Sequence, residues 1–258
     1  MSSVQQIPIP GQASHHSSSS NLRTRVCHVS MCLTTGGLER LLVEFARRTS
    51  RQQFELTFVA LGEIGQPARE IEKLGLEVVS LAEKASGRFG RIKALRRLFV
   101  DRNIDVIHSH NTYAHFHAAL AGQAAGVHGI LNTQHGRGCG NHWKQRTDFF
   151  IANRFTDRIL SVSEDSARIC RRQDWFSKSK IETLWNGIDV DRFRYHGPVT
   201  EPRAITVSRL SPEKDLPTLL RAVKLVIAQH PDFHLTVVGD GSERSLLENL
   251  SRELQLTS

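Results

Sequence analysis

Short apolar runs rich in β-branched residues alternate with helix-length amphipathic segments along most of the chain. Strand-like runs such as RVCHVSM, FELTFVAL and DVIHSH are separated by segments such as GLERLLVEFARRT and AHFHAALAGQAAG. Strands that are apolar on both faces predict a parallel sheet, because helices must then cover both faces. We therefore predict a complete, doubly wound, Rossmann-like α/β domain at residues 25–191.

The alternation pauses once and then restarts. The segment RYHGPVTEPR is poor in apolar residues and contains two prolines, which predicts a linker at residues 192–203. Two strand-and-helix pairs follow, and they predict the first part of a second Rossmann-like domain at residues 204–258. A free-standing domain usually has about 100 to 150 residues. We therefore expect this second domain to be truncated.

Composition adds bounds on location and partners. Residues 1–24 begin MSSVQQIPIPGQASHHSSSS, which has neither a basic nor an apolar signal region and predicts a disordered tail. The four cysteines form no C-x-x-C pair, so we expect reduced thiols and a cytoplasmic protein. The net charge of +8 indicates an anionic partner. Because the basic residues are scattered and no recognised module accompanies them, we expect no nucleic acid partner.

Two predicted strand ends of the first domain carry candidate site residues. Gly36 and Gly37 join the first strand to the first helix, where backbone N–H groups can approach a phosphate or an acceptor. A tight turn without a ligand explains them equally well. His135 ends the strand GILNTQ, at the edge where open α/β sheets bind ligands. The glycines of HGRGCG leave room around its imidazole, although a structural histidine is the alternative.

Two loops of the second domain could bind a phosphorylated ligand. In SRLSPEKDLP, Arg209 and Lys214 precede a predicted helix, and two cations beside a helix N-terminus suit a diphosphate. In VVGDG, the turn of Gly239, Asp240 and Gly241 could approach a nucleotide. Taken alone, a solvated loop and a plain strand–turn–helix junction explain these residues at least as well.

The segment HSHNTYAHFH has the density of histidines that metal sites use. His108 and His110 lie on a predicted strand and point to one face, whereas His115 and His117 fall in a helix pattern, where such a pair diverges. No carboxylate follows to complete a hydrolase-type site. We expect histidines packed near a polar cleft, with no metal and no cofactor.

These segments, in this order, resemble the retaining glycosyltransferases of family 4, also called group-1 glycosyltransferases, which have the GT-B fold. The resemblance runs from about Arg25 onward. It implies two Rossmann-like domains facing across a cleft, and a hexosyltransferase-type enzyme that moves a sugar from a nucleotide-sugar to a saccharide or lipid-linked acceptor. The segments that carry it are GGLER, DVIHSH, TQHG, ILSVSE, LWNGIDVDRF, SRLSPEKDL and LTVVGDGSE.

The resemblance also implies roles for the candidate residues. His135 would be catalytic and line the reaction centre, and the glycines of GGLER would lie against the donor phosphate or the acceptor. Arg209 and Lys214 would neutralise the donor diphosphate as the leaving group departs. Asp189 would support the turn of the NGID segment, so the D-x-D that it begins indicates no metal.

Two departures from the family pattern stand out. The family's paired glutamates, spaced E-x7-E in the later part of the second domain, have no counterpart in this sequence. Asp215 occupies a position after the lysine where the family often has glycine. A truncated, non-catalytic remnant or subunit that binds nucleotide or a partner chain is therefore one alternative, and a sugar-nucleotide epimerase of the same fold is another.

The basic segment RFGRIKALRRLFVDR has two interpretations as a helix. Ile92, Leu95 and Phe99 share one face, and arginines surround it. An amphipathic helix of this kind could make peripheral contact with an anionic membrane at its inner face. Alternatively, its apolar face covers the sheet and its charges are solvated. No apolar run approaches the roughly 18 to 20 residues that a spanning helix needs.

Overall fold

The computed structural model describes residues 23–83, 87–136, 142–195, 197 and 200–256. The chain divides into two compact units between Gly187 and Ile188. Of the predicted tail only Arg23 and Thr24 are described, and Thr24 is already the first residue of a strand. The predicted boundaries at residues 192 and 203 stay predictions.

The first unit is built on one seven-stranded sheet in which every pairing is parallel. The strand order β3-β2-β1-β4-β5-β6-β7 runs outward from the central β1–β4 pair. In such sheets the point where the order reverses opens a crevice at the carboxyl ends of the strands. The strands are β1 (Thr24–Ser30), β2 (Phe54–Ala60), β3 (Glu77–Ser80), β4 (Val106–His110), β5 (Gly129–Gln134), β6 (Arg158–Ser161) and β7 (Ile181–Thr183).

Helices cover the sheet with separate apolar clusters. One cluster joins Ile107 of β4 to Leu95 and Ala118 of two helices, and another joins Phe58 of β2 to Leu42. This arrangement confirms the doubly wound α/β prediction for the first unit. The helices at Trp143–Asn153 and Glu164–Gln173 were not predicted from the sequence. The helices are α1 (Gly37–Arg48), α2 (Gln66–Lys73), α3 (Gly87–Asp101), α4 (Asn111–Ala125), α5 (Trp143–Asn153) and α6 (Glu164–Gln173).

The second unit has a two-stranded parallel sheet, β8 (Arg203–Val207) and β9 (His234–Val238). Helices α7 (Leu216–Gln229) and α8 (Arg244–Glu253) bury a small leucine cluster. The exposed fractions of Ile205 and Val207 on β8 are 66% and 72%. Apolar burial in the described residues of this unit is therefore far less complete than in the first.

Candidate functional site

The carboxyl ends of β4 and β5 form one corner of the sheet. His110 ends β4, and the next residue, Asn111, has a left-handed backbone with a φ of 63°. The Asn111 side-chain oxygen accepts a hydrogen bond from the backbone N–H of His135 at 2.9 Å. Since His135 directly follows β5, this bond fixes the histidine backbone against the neighbouring strand end.

Three histidines from three adjacent strands meet at this corner, and we call them the histidine chain: His28, His110 and His135. Nδ1 of His28 lies 3.2 Å from Nε2 of His110. Nδ1 of His110 in turn lies 3.1 Å from Nε2 of His135. His108 packs against the chain with its ring centroid 4.4 Å from that of His110. Its own Nε2 is 2.8 Å from the Thr133 hydroxyl.

Burial keeps these imidazoles neutral. It lowers the pKa of both His28 and His110 well below the ordinary value, and neighbouring histidines lower it further. The pKa of His108 falls to about 4 through burial, with a smaller effect of His135. Burial alone lowers the pKa of His135 to about 4. At pH 7 the corner therefore offers neutral nitrogens that donate or accept hydrogen bonds.

The side-chain nitrogens of His28, His108 and His110 lie within 4.8 Å of one another, so they could hold a metal ion. The pair on β4 is evident in the sequence, whereas His28 lies far away along the polypeptide and joins the pair only through the β1–β4 register. The expectation that the protein has no metal stays a prediction. His115 and His117 are buried on α4 and bond elsewhere, to Thr156 and to the Tyr113 carbonyl.

The predicted glycine pair lies at the start of α1. Gly36 is the N-cap residue, and no side chain caps the first turn. A Cβ on Gly36 would lie 2.2 Å from a carboxylate oxygen of Glu39, whereas a Cβ on Gly37 would meet nothing within 4 Å. The Glu39 carboxylate therefore covers Gly36, and a negative charge already occupies this helix N-terminus.

The two predicted cations of the second unit are exposed. Arg209 follows β8, and Lys214 ends a 3₁₀ turn, Pro212–Lys214, directly before α7. Within the described part of the chain, neither forms an ion pair. Asp215 between the turn and α7 has a φ of 47°. Glycine, which the resembled family often has at this position, adopts that left-handed conformation without strain.

Close backbone contact explains the glycines of the turn after β9. A Cβ on Gly239 would lie 1.9 Å from the Ser208 carbonyl oxygen, and one on Gly241 would lie 2.3 Å from that of Leu210. The Leu210 N–H donates to the Asp240 carbonyl at 2.9 Å. The fold therefore brings Arg209 beside this turn. A nucleotide-binding role for residues 239–241 stays a prediction.

The basic helix α3 turns its apolar face inward. Leu95, Leu98 and Phe99 are buried in the core of the first unit. Three of its arginines bond within that unit: Arg88 to Asp148, Arg91 to the Tyr113 hydroxyl and Arg96 to the Ala124 carbonyl. These contacts favour the interpretation in which α3 covers the sheet. Among the described helices, none is both long enough and apolar enough to cross a bilayer.

Two family models match the chain. The model for Glycosyltransferase Family 4 matches residues 35–192, and the model for Glycosyl transferases group 1 matches residues 188–258. Together they cover residues 35–258, which include His110, His135 and the segment with the two cations, whereas His28 lies before the first match.

Curated relatives share low identity over most of the chain. A galactosyltransferase of Escherichia coli, named for UDP-Gal and alpha-D-GlcNAc-diphosphoundecaprenol, is 21% identical, with 86% of this chain and 64% of the relative covered. EpsF of Bacillus subtilis, which is named as a putative glycosyltransferase, is 23% identical, with 91% and 66% covered. This chain thus spans just under two thirds of the length of these relatives.

Solved structures with the same fold include transferases and epimerases. HepE of Anabaena, crystallised in complex with UDP, is 18% identical with a TM-score of 0.72, covering 90% of this chain and 67% of its own. A putative UDP-N-acetylglucosamine 2-epimerase of Listeria monocytogenes is 12% identical with a TM-score of 0.56, covering 92% and 68%. These likenesses confirm the predicted α/β architecture of the GT-B type.

Proposed function

The chain belongs to glycosyltransferase family 4, and from that membership we propose that it serves in sugar transfer from a nucleotide-sugar to a saccharide or lipid-linked acceptor. We propose retention of configuration at the transferred sugar. The observation that carries the proposal is the pair of exposed cations at Arg209 and Lys214, in the unit that matches the group-1 model.

The donor diphosphate is assigned to the second unit. Arg209 and Lys214 precede α7, where no side chain bonds to the N–H groups of the first turn; Pro217 has no N–H, and the Asp215 carboxylate accepts from the Thr218 hydroxyl instead. As the sugar bond breaks, charge builds on the departing diphosphate, and two fixed cations stabilise that charge. UDP is the nucleotide that suits this proposal, because the HepE complex contains it and the E. coli relative is named for UDP-Gal.

The acceptor is assigned to the first unit. A phosphate beside Gly36 would meet the Glu39 carboxylate, so a sugar hydroxyl suits this helix start better than a donor phosphate. The lipid diphosphate in the name of the E. coli relative supports a lipid-linked acceptor. His135 would contact the sugar at the end of β5, as a neutral hydrogen-bonding group.

Calorimetric titration with UDP tests the donor site. A hydrogen bond to a charged group contributes roughly 1.5 to 3 kcal/mol, so Arg209→Ala or Lys214→Ala should weaken UDP binding about 10- to 100-fold. Lys224→Ala, which removes an exposed cation from the middle of α7, should leave binding unchanged. Equal affinity of all three variants would contradict the assignment.

The alternatives predict different outcomes. An epimerase would convert a UDP-sugar without forming a glycoside, so chromatography of the products formed with an added acceptor separates the two reactions. The family models favour transfer. A remnant that binds nucleotide without catalysis would bind UDP and form no glycoside, whereas an inert remnant would fail to bind UDP at concentrations at which a longer relative binds it.

Peripheral membrane contact through α3 stays a hypothesis, with a test of its own. Flotation with anionic liposomes should be reduced in an Arg96→Glu, Arg97→Glu variant if α3 meets the lipid. An Arg221→Glu, Lys224→Glu variant makes the same change in charge on α7 and serves as the control. Equal flotation of the two variants and the wild type would rule out the hypothesis.

A further inference from the structure

The nitrogens of the histidine chain face each other directly. The ring centroids of His28 and His110 are 5.5 Å apart and their nitrogens 3.2 Å. For His110 and His135 the two distances are 5.3 Å and 3.1 Å. In both pairs the centroid distance exceeds the nitrogen distance by about one ring width. Each nitrogen pair therefore lies nearly on the line between its rings, which is the geometry of a hydrogen bond.

The same geometry distinguishes a hydrogen bond from metal coordination. Two imidazoles that share a tetrahedral metal direct their lone pairs at the ion from different directions, with metal–nitrogen distances of about 2.0 to 2.1 Å. Nitrogens that face each other at 3.2 Å leave no space for an ion between them. One shared proton fits between each pair instead.

We propose that His110 and His28 are positioning residues that set the tautomer of His135 through this chain. A neutral imidazole has one N–H and one bare nitrogen. If the Nδ1 atoms of His28 and His110 donate, then Nε2 of His135 accepts and its proton sits on Nδ1. If Nε2 of His135 donates, every bond reverses and all three rings carry their proton on Nε2. The three rings therefore share one tautomer, and mixed neutral arrangements leave a bond unmade.

The free end of the chain is where a ligand would meet it. Nδ1 of His135 is buried and has no hydrogen-bond partner among the described residues. A sugar hydroxyl can satisfy it either as donor or as acceptor, and the shared tautomer decides which of the two is required. This role at a sugar rests on the proposed function, whereas the shared tautomer does not.

Imidazole ¹⁵N NMR of the wild-type chain at pH 7 tests the shared tautomer without any substitution. We expect His28, His110 and His135 all to carry their proton on the same type of nitrogen. His110→Phe keeps a ring but removes both nitrogens, and it should leave His135 as a mixture of tautomers. His28→Phe places a ring between Phe45 and Phe58, which already contact His28. This variant should leave His110 as a mixture of tautomers.

The matched control is His115→Phe. His115 is as fully buried as His110, but it bonds to Thr156 and does not belong to the histidine chain. This variant should leave the tautomers of the other three histidines unchanged. Different tautomers among the three rings of the wild type would overturn the proposal. So would stoichiometric Zn²⁺ binding that replaces the shared protons.

The role at a sugar is tested by comparing UDP-glucose with UDP as ligands. One neutral hydrogen bond contributes about 0.5 to 1.5 kcal/mol, so His110→Phe should reduce the preference for UDP-glucose about two- to tenfold and leave UDP affinity unchanged. An unchanged preference would overturn this role. Failure of the wild type to bind UDP would instead contradict the proposed function. The shared tautomer measured by NMR would be unaffected by that outcome.

Discussion

The two candidate sites of this protein differ in their exposure to solvent. In the first unit, histidines are buried at the sheet edge and their pKa values are lowered, so they act as neutral hydrogen-bonding groups. In the second unit, Arg209 and Lys214 are exposed to solvent. Burying an unpaired cation costs far more free energy than burying a neutral imidazole. The buried site is therefore suited to orienting a ligand, and the exposed site to attracting an anion.

The apolar core is also more completely buried in the first unit than in the second. Leu95 of α3 has no exposed surface and belongs to a cluster drawn from several helices and strands. Leu220 of α7 is 8% exposed and belongs to a cluster of a few leucines. A rigid scaffold therefore supports the buried histidines, and a less tightly packed one supports the exposed cations.

The largest expected effect is on packing. Leu95→Ala should reduce the free energy of unfolding by about 4 kcal/mol, whereas Leu220→Ala should cost about 2 kcal/mol, because the smaller cluster can collapse around the lost side chain. Native-state hydrogen exchange in α3 and α7 measures each unit separately. Equal losses of protection would mean that the two cores are equally well packed.

The next effect concerns glycines near the two sites. Gly239→Ala should destabilise the second unit by about 1 to 3 kcal/mol, because its Cβ would overlap the Ser208 carbonyl oxygen. Gly136→Ala is the matched control, since its Cβ would meet nothing within 4 Å. Amide exchange at residues 208–210 reports the change. An unaffected Gly239→Ala variant would show that the β8 and β9 turns separate easily.

Taken over one pH unit, the smallest effect is a pH dependence that His115 gives to the first unit. Burial lowers the pKa of His115 to about 3. The unfolded chain therefore binds a proton at this histidine below about pH 6.5, whereas the folded chain binds it only below about pH 3. Stability should therefore fall as the pH falls through this window, by up to about 1.4 kcal/mol per pH unit for this histidine.

Urea unfolding followed by tryptophan fluorescence measures this slope. The three tryptophans, Trp143, Trp175 and Trp185, all precede Gly187, so the signal reports the first unit. His115→Phe should reduce the slope by about one proton in the acid window and leave it unchanged above pH 7. A variant with the wild-type slope would mean that His115 is protonated in the folded chain.

Local patterns predicted most elements but left gaps. Each strand prediction named above matches an observed strand, because apolar β-branched runs between helix-length segments have few other solutions. Helix α6 was missed although Ser163 caps it, its hydroxyl oxygen accepting from the Ser166 N–H at 3.2 Å. That serine was the signal available in the sequence. Gly138 and Gly140, which were predicted to leave room beside His135, lie outside the described residues.

The sequence by itself determined the parallel α/β class, the family and the position of His135 at a strand end, since each follows from periodicity or from motifs read along the chain. Only the tertiary structure decided that His28 joins His110 and His135, because strand register sets which side chains meet across a sheet. It also decided that Gly239 and Gly241 are required by the backbone of the β8 turn. Contacts between residues far apart in sequence depend on this packing, and no local pattern encodes them.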